Sequence, residues 1–310
     1  MLSRVANSIY WMCRYLERAE NVARFVNVNL HLMLDLGQSP ENAQWHPLVA
    51  ASGDEADFAK RYKHSTERNV IRFLTFDEKN PNSILSCIDA ARENGRTVRE
   101  VIPSDMWEQI NELYHFVHKE SRKRSLTDPQ GFYAHIRFAN YLFTGLLENA
   151  MSHGEAWHFA RMGTMLERAD KTARILDVKY FLLLPGLEYV DSPYDAVQWG
   201  AVLKSVNAFE MYRKQFQRIN YKDVARFMIF DPCFPRSLMY CISAAERSLR
   251  AVAAQGKSDS PAQAEMAILR NMLNATTIEA VLKNGLHEFI DAFQFNLNIV
   301  DQAIYRSFFG

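Results

Sequence analysis

Strand-type alternation is missing from this sequence, and the residues that interrupt helices are few. Among 310 residues there are 12 glycines and 10 prolines, gathered between segments whose apolar residues recur every three or four positions. That pattern excludes a sheet-based fold and predicts an all-α helical bundle. Cysteine is also rare. Cys13, Cys87, Cys233 and Cys241 form no C-x-x-C pair and no zinc-type spacing, so they are expected as free thiols. Neither sign of charge is in excess, with 36 Lys+Arg against 36 Asp+Glu. A protein that grips phosphate backbones needs a basic surplus, so nucleic acid is not expected as a partner. No long apolar run exists either. The most apolar stretch, 180–187, is too short to span a bilayer and contains Pro185. The first residues reach Arg14 after a short apolar run, without the apolar centre of a secretion signal. A cytoplasmic protein with no membrane contact is expected. G-x-S-x-G, a Gly-rich phosphate loop and H-E-x-x-H are all absent, and no cofactor is expected.

What is present is a set of helix signals. Ser3 is placed to cap a long first helix running to about Asp35, with Gly37 as its stop. A second helix is expected over about Ala43 to Tyr62. Asn80-Pro81 reads as a helix start and Pro103 as the end of that helix, after which Ser104 caps the next. Asp128-Pro129 and Ser260-Pro261 carry the same start signal. The tryptophans Trp11, Trp45, Trp107, Trp157 and Trp199 fall at helical positions and are assigned to the core.

The chain also resembles itself. At an offset of 154, Arg72 to Arg96 aligns on Arg226 to Arg250 without a gap, and 11 of 25 positions are identical. The same offset pairs Gln44-Trp45 with Gln198-Trp199 and Gly131 with Gly285. At an offset of 150, Met12 to Val28 falls on Met162 to Val178 with 8 of 17 identical, and four extra residues enter between Val178 and Gln198. This predicts one domain over 1–310 built from two divergent copies, about 1–153 and 154–310, related by a pseudo-two-fold axis.

Each copy contains a Leu-Glu-Arg-Ala-(Glu/Asp)-x-x-Ala-Arg stretch. On a helix Glu17, Glu20 and Arg24 share a face, and Leu16, Ala19 and Ala23 form a neighbouring stripe that admits close helix approach. Glu167, Asp170 and Arg174 repeat the arrangement, with Arg18 and Arg168 beside the acids. Three readings are open. The charges form inter-helix ion pairs that fix the register of the two copies. Alternatively Glu17, Glu20, Glu167 and Asp170 make a carboxylate cradle suited to magnesium or manganese. In the third, Arg14, Arg18, Arg24, Arg168 and Arg174, with Arg92, Arg96 and Arg99, line a pocket for an anionic ligand or a peptide carboxylate. Arg72 and Asp77, their repeats Arg226 and Asp231, and the Arg92, Glu93, Arg96 group are secondary charged candidates. His115-x-x-His118 is read as a solvated or core-edge pair, and the run from Lys119 to Arg124 as a solvated helix end.

Several ordered motifs carry a wider resemblance. They are Ser8-Ile9-Tyr10-Trp11-Met12-x-Arg14-Tyr15-Leu16-Glu17-Arg18-Ala19-Glu20, Asn80-Pro81-Asn82-Ser83-Ile84, Ala91-Arg92-Glu93-Asn94-x-Arg96-x-Val98-Arg99, Trp107-Glu108-x-x-Asn111 and Leu166-Glu167-Arg168-Ala169-Asp170. With these the whole chain resembles the alpha-E family, a bacterial helical family with a Glu-Arg motif. Gly95 stands where the family pattern leads one to expect Ala, and the second copy has Glu246-Arg247-Ser248 in place of Glu-Asn, so a site on that helix would be asymmetric. The resemblance implies association with a circularly permuted ATP-grasp ligase and often with a transglutaminase-like protein, in systems that make, attach or trim peptides. It implies an accessory, scaffold or substrate-presenting partner of the ligase. An enzyme of peptide or amide modification using a carboxylate-bound divalent metal, or a structural homo-oligomer, are the alternatives. It brings no catalytic residues with it.

Overall fold

The computed structural model describes residues 1–36, 41–123, 125–182, 193–254 and 260–310; Gly37, Arg124 and Pro185 lie outside them. Among the described residues there are fifteen α-helices, a terminal π-turn and no strand. The two longest are α1 (Ser3–Leu36) and α8 (Glu155–Leu182), which carry the two Leu-Glu-Arg-Ala stretches and cross one another. Between them come α2 (Glu41–Ser52), α3 (Glu55–Arg61), α4 (Glu67–Thr75), α5 (Ile84–Thr97), α6 (Ser104–Ser121) and α7 (Pro129–Asn149). After α8 come α9 (Pro193–Ser205), α10 (Phe209–Gln215), α11 (Tyr221–Phe230), α12 (Leu238–Ala253), α13 (Pro261–Ala275), α14 (Ile278–Asn284) and α15 (Leu286–Ile304). α5 and α7 pack on α1, while α12 and α15 pack on α8; α2 crosses over to α8 and α9 to α1. None of the described helices is long and apolar enough to cross a membrane.

The small-residue stripe lets α1 and α8 approach closely. Leu16, Ala19 and Ala23 are buried against Leu166, Ala169 and Ala173, none more than 3% exposed. At the tightest point a Cβ on Gly163 would lie 2.4 Å from the carbonyl oxygen of Tyr10. Only a residue without a side chain fits there, because the obstacle is backbone and cannot swing aside.

Helix starts follow their capping residues. Asp128 accepts from the Gly131 amide ahead of Pro129, and Gln263 accepts from the Ser260 amide ahead of α13, as expected. Four local expectations need correction. Ser3 is the first residue of α1 rather than its cap, a position taken by Leu2, whose carbonyl accepts from the Val5 and Ala6 amides. The helix expected over Ala43 to Tyr62 is broken at Gly53, whose φ of +82° is cheap only for glycine, giving α2 and α3. Asn80-Pro81 does not start a helix. The Asn80 side chain instead closes the preceding turn by donating to Phe73 O and accepting from the Asn82 amide, and Ser83 is the cap of α5. α5 ends at Thr97, so Pro103 terminates nothing and stands one residue before α6, where Ser104 is the first helical residue rather than the cap. Trp45, Trp157 and Trp199 are core, but Trp11 and Trp107 are only partly buried and lie under the guanidiniums of Arg14 and of Arg92 and Arg99. All four cysteines are free.

Gly163→Ala is expected to push α1 and α8 apart and to destabilise the protein by about 1–3 kcal/mol, the usual cost of overpacking, as measured by chemical denaturation. Gly145→Ala, on an exposed face where the new methyl meets nothing within 4 Å, is the control and leaves the midpoint unchanged or higher.

Candidate functional site

Adjacent residues on a helix point about 100° apart, so Glu17 and Arg18 flank the line along which α1 meets α8, and Glu167 and Arg168 do the same from the other side. The result is a pair of crossed forks. Arg18 donates from Nε and Nη2 to the two oxygens of Glu167, at 2.6 and 3.0 Å. Arg168 donates from Nε and Nη2 to the two oxygens of Glu17, at 2.8 and 2.9 Å. Glu17 and Glu167 are fully buried, so each needs more than one cation to stay ionised. Arg14 supplies the second for Glu167 from Nε at 2.9 Å. Arg236 supplies it for Glu17 at 3.0 Å and reaches Glu20 at 2.9 Å with its other terminal nitrogen. Arg24 closes on Glu20 and on the Tyr141 hydroxyl, and Arg174 donates from Nε to both oxygens of Asp170 at 3.0 Å.

Burial alone would raise these carboxyls, and the arginines outweigh it. Against that burial, Arg168 and Arg236 bring the Glu17 carboxyl down to about 2, from an ordinary 4.5. Glu167 is held well below the carboxylate range by Arg18 and Arg14 in the same way, and Asp170 is lowered by Lys171 and Arg174. On the other side of the ledger Arg24 is brought down to about 10, first by burial and then by its neighbour Arg236. Glu17 and Glu20 thus share the charges of Arg24, Arg168 and Arg236 in a buried network.

The network around Glu167 is open. A cleft of about 230 Å³ lies beside it, walled by Arg14, Arg18, Lys171 and Arg174 and by Asp54, Asp170 and Asp301. Asp301, on α15, accepts from Arg14 and from the Tyr10 hydroxyl. Arg18 donates its remaining nitrogen to Asn82, and Asn82 donates to Asp54. The offset of 154 sets Asn82 against Arg236, so a short amide stands beside one glutamate where a long guanidinium fills the space beside the other.

The remaining candidates lie elsewhere. Asp77 and Asp231 fold the turns after α4 and α11 by accepting from Lys79 and from Cys233 and Phe234 amides. Arg72 is exposed on α4, and Arg226 pairs with Asp223 and Glu279 at the surface. Arg92, Glu93 and Arg96 form a surface cluster on α5 with Arg92 bonded to Asn111. His118 pairs with Asp89 while His115 is exposed, so the two share no ligand. The four acids of the proposed metal cradle are divided between the two networks and each is taken by guanidinium or ammonium. Among the described residues the group of metal-type ligands close enough to share an ion is Asp177, His287 and Asp291. There the His287 ring faces Asp177 from Nδ1 at 2.8 Å and Asp291 from Nε2 at 3.4 Å. Sequence reasoning missed Lys171, Asp54, Asn82, Arg236 and Asp301. Lys171 adjoins the motif and Asn82 lies within Asn80-Pro81-Asn82-Ser83-Ile84, so both were open to notice, but Asp54, Arg236 and Asp301 reach the site from distant helices and turns with no local signal.

Glu17→Gln combined with Glu167→Gln leaves several buried guanidiniums underpaired and is expected to cost on the order of 3–5 kcal/mol per broken pair, enough to prevent folding of a marginally stable chain. Circular dichroism and gel filtration of the double variant check this, and a folded variant of native stability would refute the lock. The depressed Glu17 carboxyl also fixes a pH dependence. Its contribution is complete above about pH 4.5, and it is lost as the pH falls towards about 2, where the folded form takes up the proton. Denaturant midpoints measured from pH 6 to pH 2 are expected to fall across that window.

Sequence comparison agrees with this architecture. Uncharacterized proteins of Mycobacterium bovis and of two Mycobacterium tuberculosis strains are each 23% identical to this chain over 282 residues, covering 83% of it. The chain spans only 31% of the length of those relatives. No solved structure matches it. The model of the Alpha-E family, described as a predicted alpha-helical domain with a conserved ER motif, matches residues 1–309, and the chain belongs to that family.

Proposed function

We propose that this protein is a non-catalytic partner of a circularly permuted ATP-grasp ligase, a scaffold that holds or presents a substrate in a system that makes or modifies peptides. The ligase, and a transglutaminase-like protein beside it, come from the family resemblance. The observation that carries the non-catalytic role is the state of the motif itself. A nucleophile or general base needs an uncommitted lone pair, and Glu17, Glu20, Glu167 and Asp170 all spend theirs on buried cations. Three of the four thiols offer no substitute, because burial pushes Cys13, Cys87 and Cys241 up to about 12. Free cysteines suit the reducing cytoplasm, where we place the protein.

We further propose that the scaffold is a single domain of two copies about a pseudo-two-fold axis. The support lies in pairs of features at the offsets of 150 and 154. The two forks exchange Glu17 and Arg18 for Glu167 and Arg168. Gly53 and Asn207 are both left-handed, at φ +82° and +55°. Ser83 and Ser237 cap α5 and α12, and Cys87 and Cys241 donate to the carbonyls of Pro81 and Pro235. Phe58, Tyr62 and Phe73 form an aromatic triad on α3 and α4 that Tyr212, Phe216 and Phe227 repeat with nearly the same ring angles.

The test is affinity purification of the tagged protein from its native cell, with mass spectrometry of what remains bound. Recovery of an ATP-grasp ligase in near-equal amount is the expected result. Recovery of the protein alone, or only of further copies of itself, would overturn the partnership.

A further inference from the structure

The two networks are built from the same parts, and a cleft lies beside the one around Glu167. Beside Glu17 stands Arg236, and Arg24 bonds Glu20 and Tyr141 through one terminal nitrogen, with its Nε buried and unpartnered. Beside Glu167 the residue equivalent to Arg236 is Asn82, and the cleft remains. The groups facing it have unused capacity of both signs. Arg174 commits Nε to Asp170, and its two terminal nitrogens find no acceptor among the described residues. They lie over the α2–α3 turn, where a Cβ on Gly53 would come within 2.6 Å of Nη1. Lys171 is 6% exposed at the base of the cleft, with Asp170 at 3.1 Å.

The negative capacity belongs to Asp54. It occupies the cap position of α3, where an aspartate ordinarily accepts from the first amides of its helix. Here it makes no such bond. One oxygen accepts from Asn82 and the other is buried with no partner. Asp54 lines the cleft, and a turn of its carboxylate brings the unpartnered oxygen to face it. In the other copy, position 208 is Ala, so that feature has no counterpart.

Four cations and, with Glu167 behind them, four carboxylates make the site neutral overall. A phosphate or other multiple anion would meet three aspartates there. A molecule carrying one carboxylate and one ammonium matches both kinds of unused group. The volume lies below the roughly 300–1,000 Å³ of pockets for drug-sized ligands and suits a guest of amino-acid or dipeptide size.

We propose that this cleft binds a small zwitterion, a free amino acid or a dipeptide with unblocked ends, its carboxylate on Arg174 and Lys171 and its ammonium on Asp54. The closed copy is the lock alone; the open copy is the lock with a binding site beside it. This rests on the substrate-presenting form of the function proposed above and names what is presented.

The test is calorimetric titration of the full chain with L-alanine, L-glutamate, L-lysine and alanyl-alanine, followed by N-acetyl-alanyl-alanine and alanyl-alanine amide. One-to-one binding of at least one unblocked probe is expected, with each end-blocked dipeptide weaker by about tenfold or more, since each loses a charge-assisted bond. Asn82→Arg, which installs the residue of the closed copy, is expected to abolish binding. Asp54→Asn and Arg174→Gln, at partly exposed positions, are expected to weaken it by about tenfold, with circular dichroism and gel filtration checking that each variant is folded. The proposal falls if no unblocked probe binds. It falls equally if the blocked dipeptides bind as well as the free one, or if binding survives Asp54→Asn and Arg174→Gln unchanged. The titration uses this protein alone, so its failure leaves the ligase contact standing, and a missing ligase leaves the cleft standing.

Discussion

Everything in this molecule is arranged around two guanidinium–carboxylate forks that cross between α1 and α8. Taking a carboxylate out of water costs several kcal/mol, and the attraction of a single cation offsets that only when geometry is close to ideal. Bidentate arginine supplies such geometry, whereas lysine, a point charge, does not. The forks therefore add little to net stability but permit one register. A slip of one residue along either helix would turn the acids by about 100° and leave buried charges facing apolar side chains.

The rest of the chain is fastened to those forks at second remove. Arg236 comes from the turn before α12, Asn82 from the turn before α5, and Arg14 ties Glu167 to Asp301 on α15. The turn geometry set by Asp77 and Asp231 holds Asn82 and Arg236 in place, which gives these aspartates a positioning role even though they never touch the forks. On the two-copy reading, a single exchange at one turn position converts a sealed network into an open one. On the same reading, divergence at that position would change what the protein can hold without disturbing how it folds, because both copies would keep the forks.

How much of this could be read from the sequence depended on range. Features governed by neighbours in the chain were legible: the extent of α1, the starts at Asp128-Pro129 and Ser260-Pro261, the face shared by Glu17, Glu20 and Arg24, and the small-residue stripe beside it. The ion-pair reading of the motif was among those open, and its pairing partners follow once two such helices are set side by side. The break at Gly53 was not legible, because a glycine inside an apolar pattern is tolerated in helices and nothing nearby announces a left-handed turn. Asn80-Pro81 misled for a physical reason. Proline after a polar residue suits a turn as well as a first helical position, and here the Asn80 side chain chose the turn. The cleft was invisible, since Asp54, Asn82, Lys171 and Asp301 converge only through tertiary packing.

The spacing of the motif explains why glutamate and arginine stand next to one another rather than one turn apart. Had they been placed at i and i+4, as Glu20 and Arg24 are, each helix would have neutralised its own charges, as that pair does, and nothing would have linked the two helices. Adjacency forbids the internal pair, because the two side chains diverge around the helix. Glu17 is then left to Arg168, and Arg18 to Glu167. Each helix carries half of two bonds that only the other can complete. The small residues Ala19, Ala23 and Gly163 bring the axes close enough for both to close at once. The motif is thus an instruction for association: its acid and base are positioned so that satisfaction is possible only across the seam.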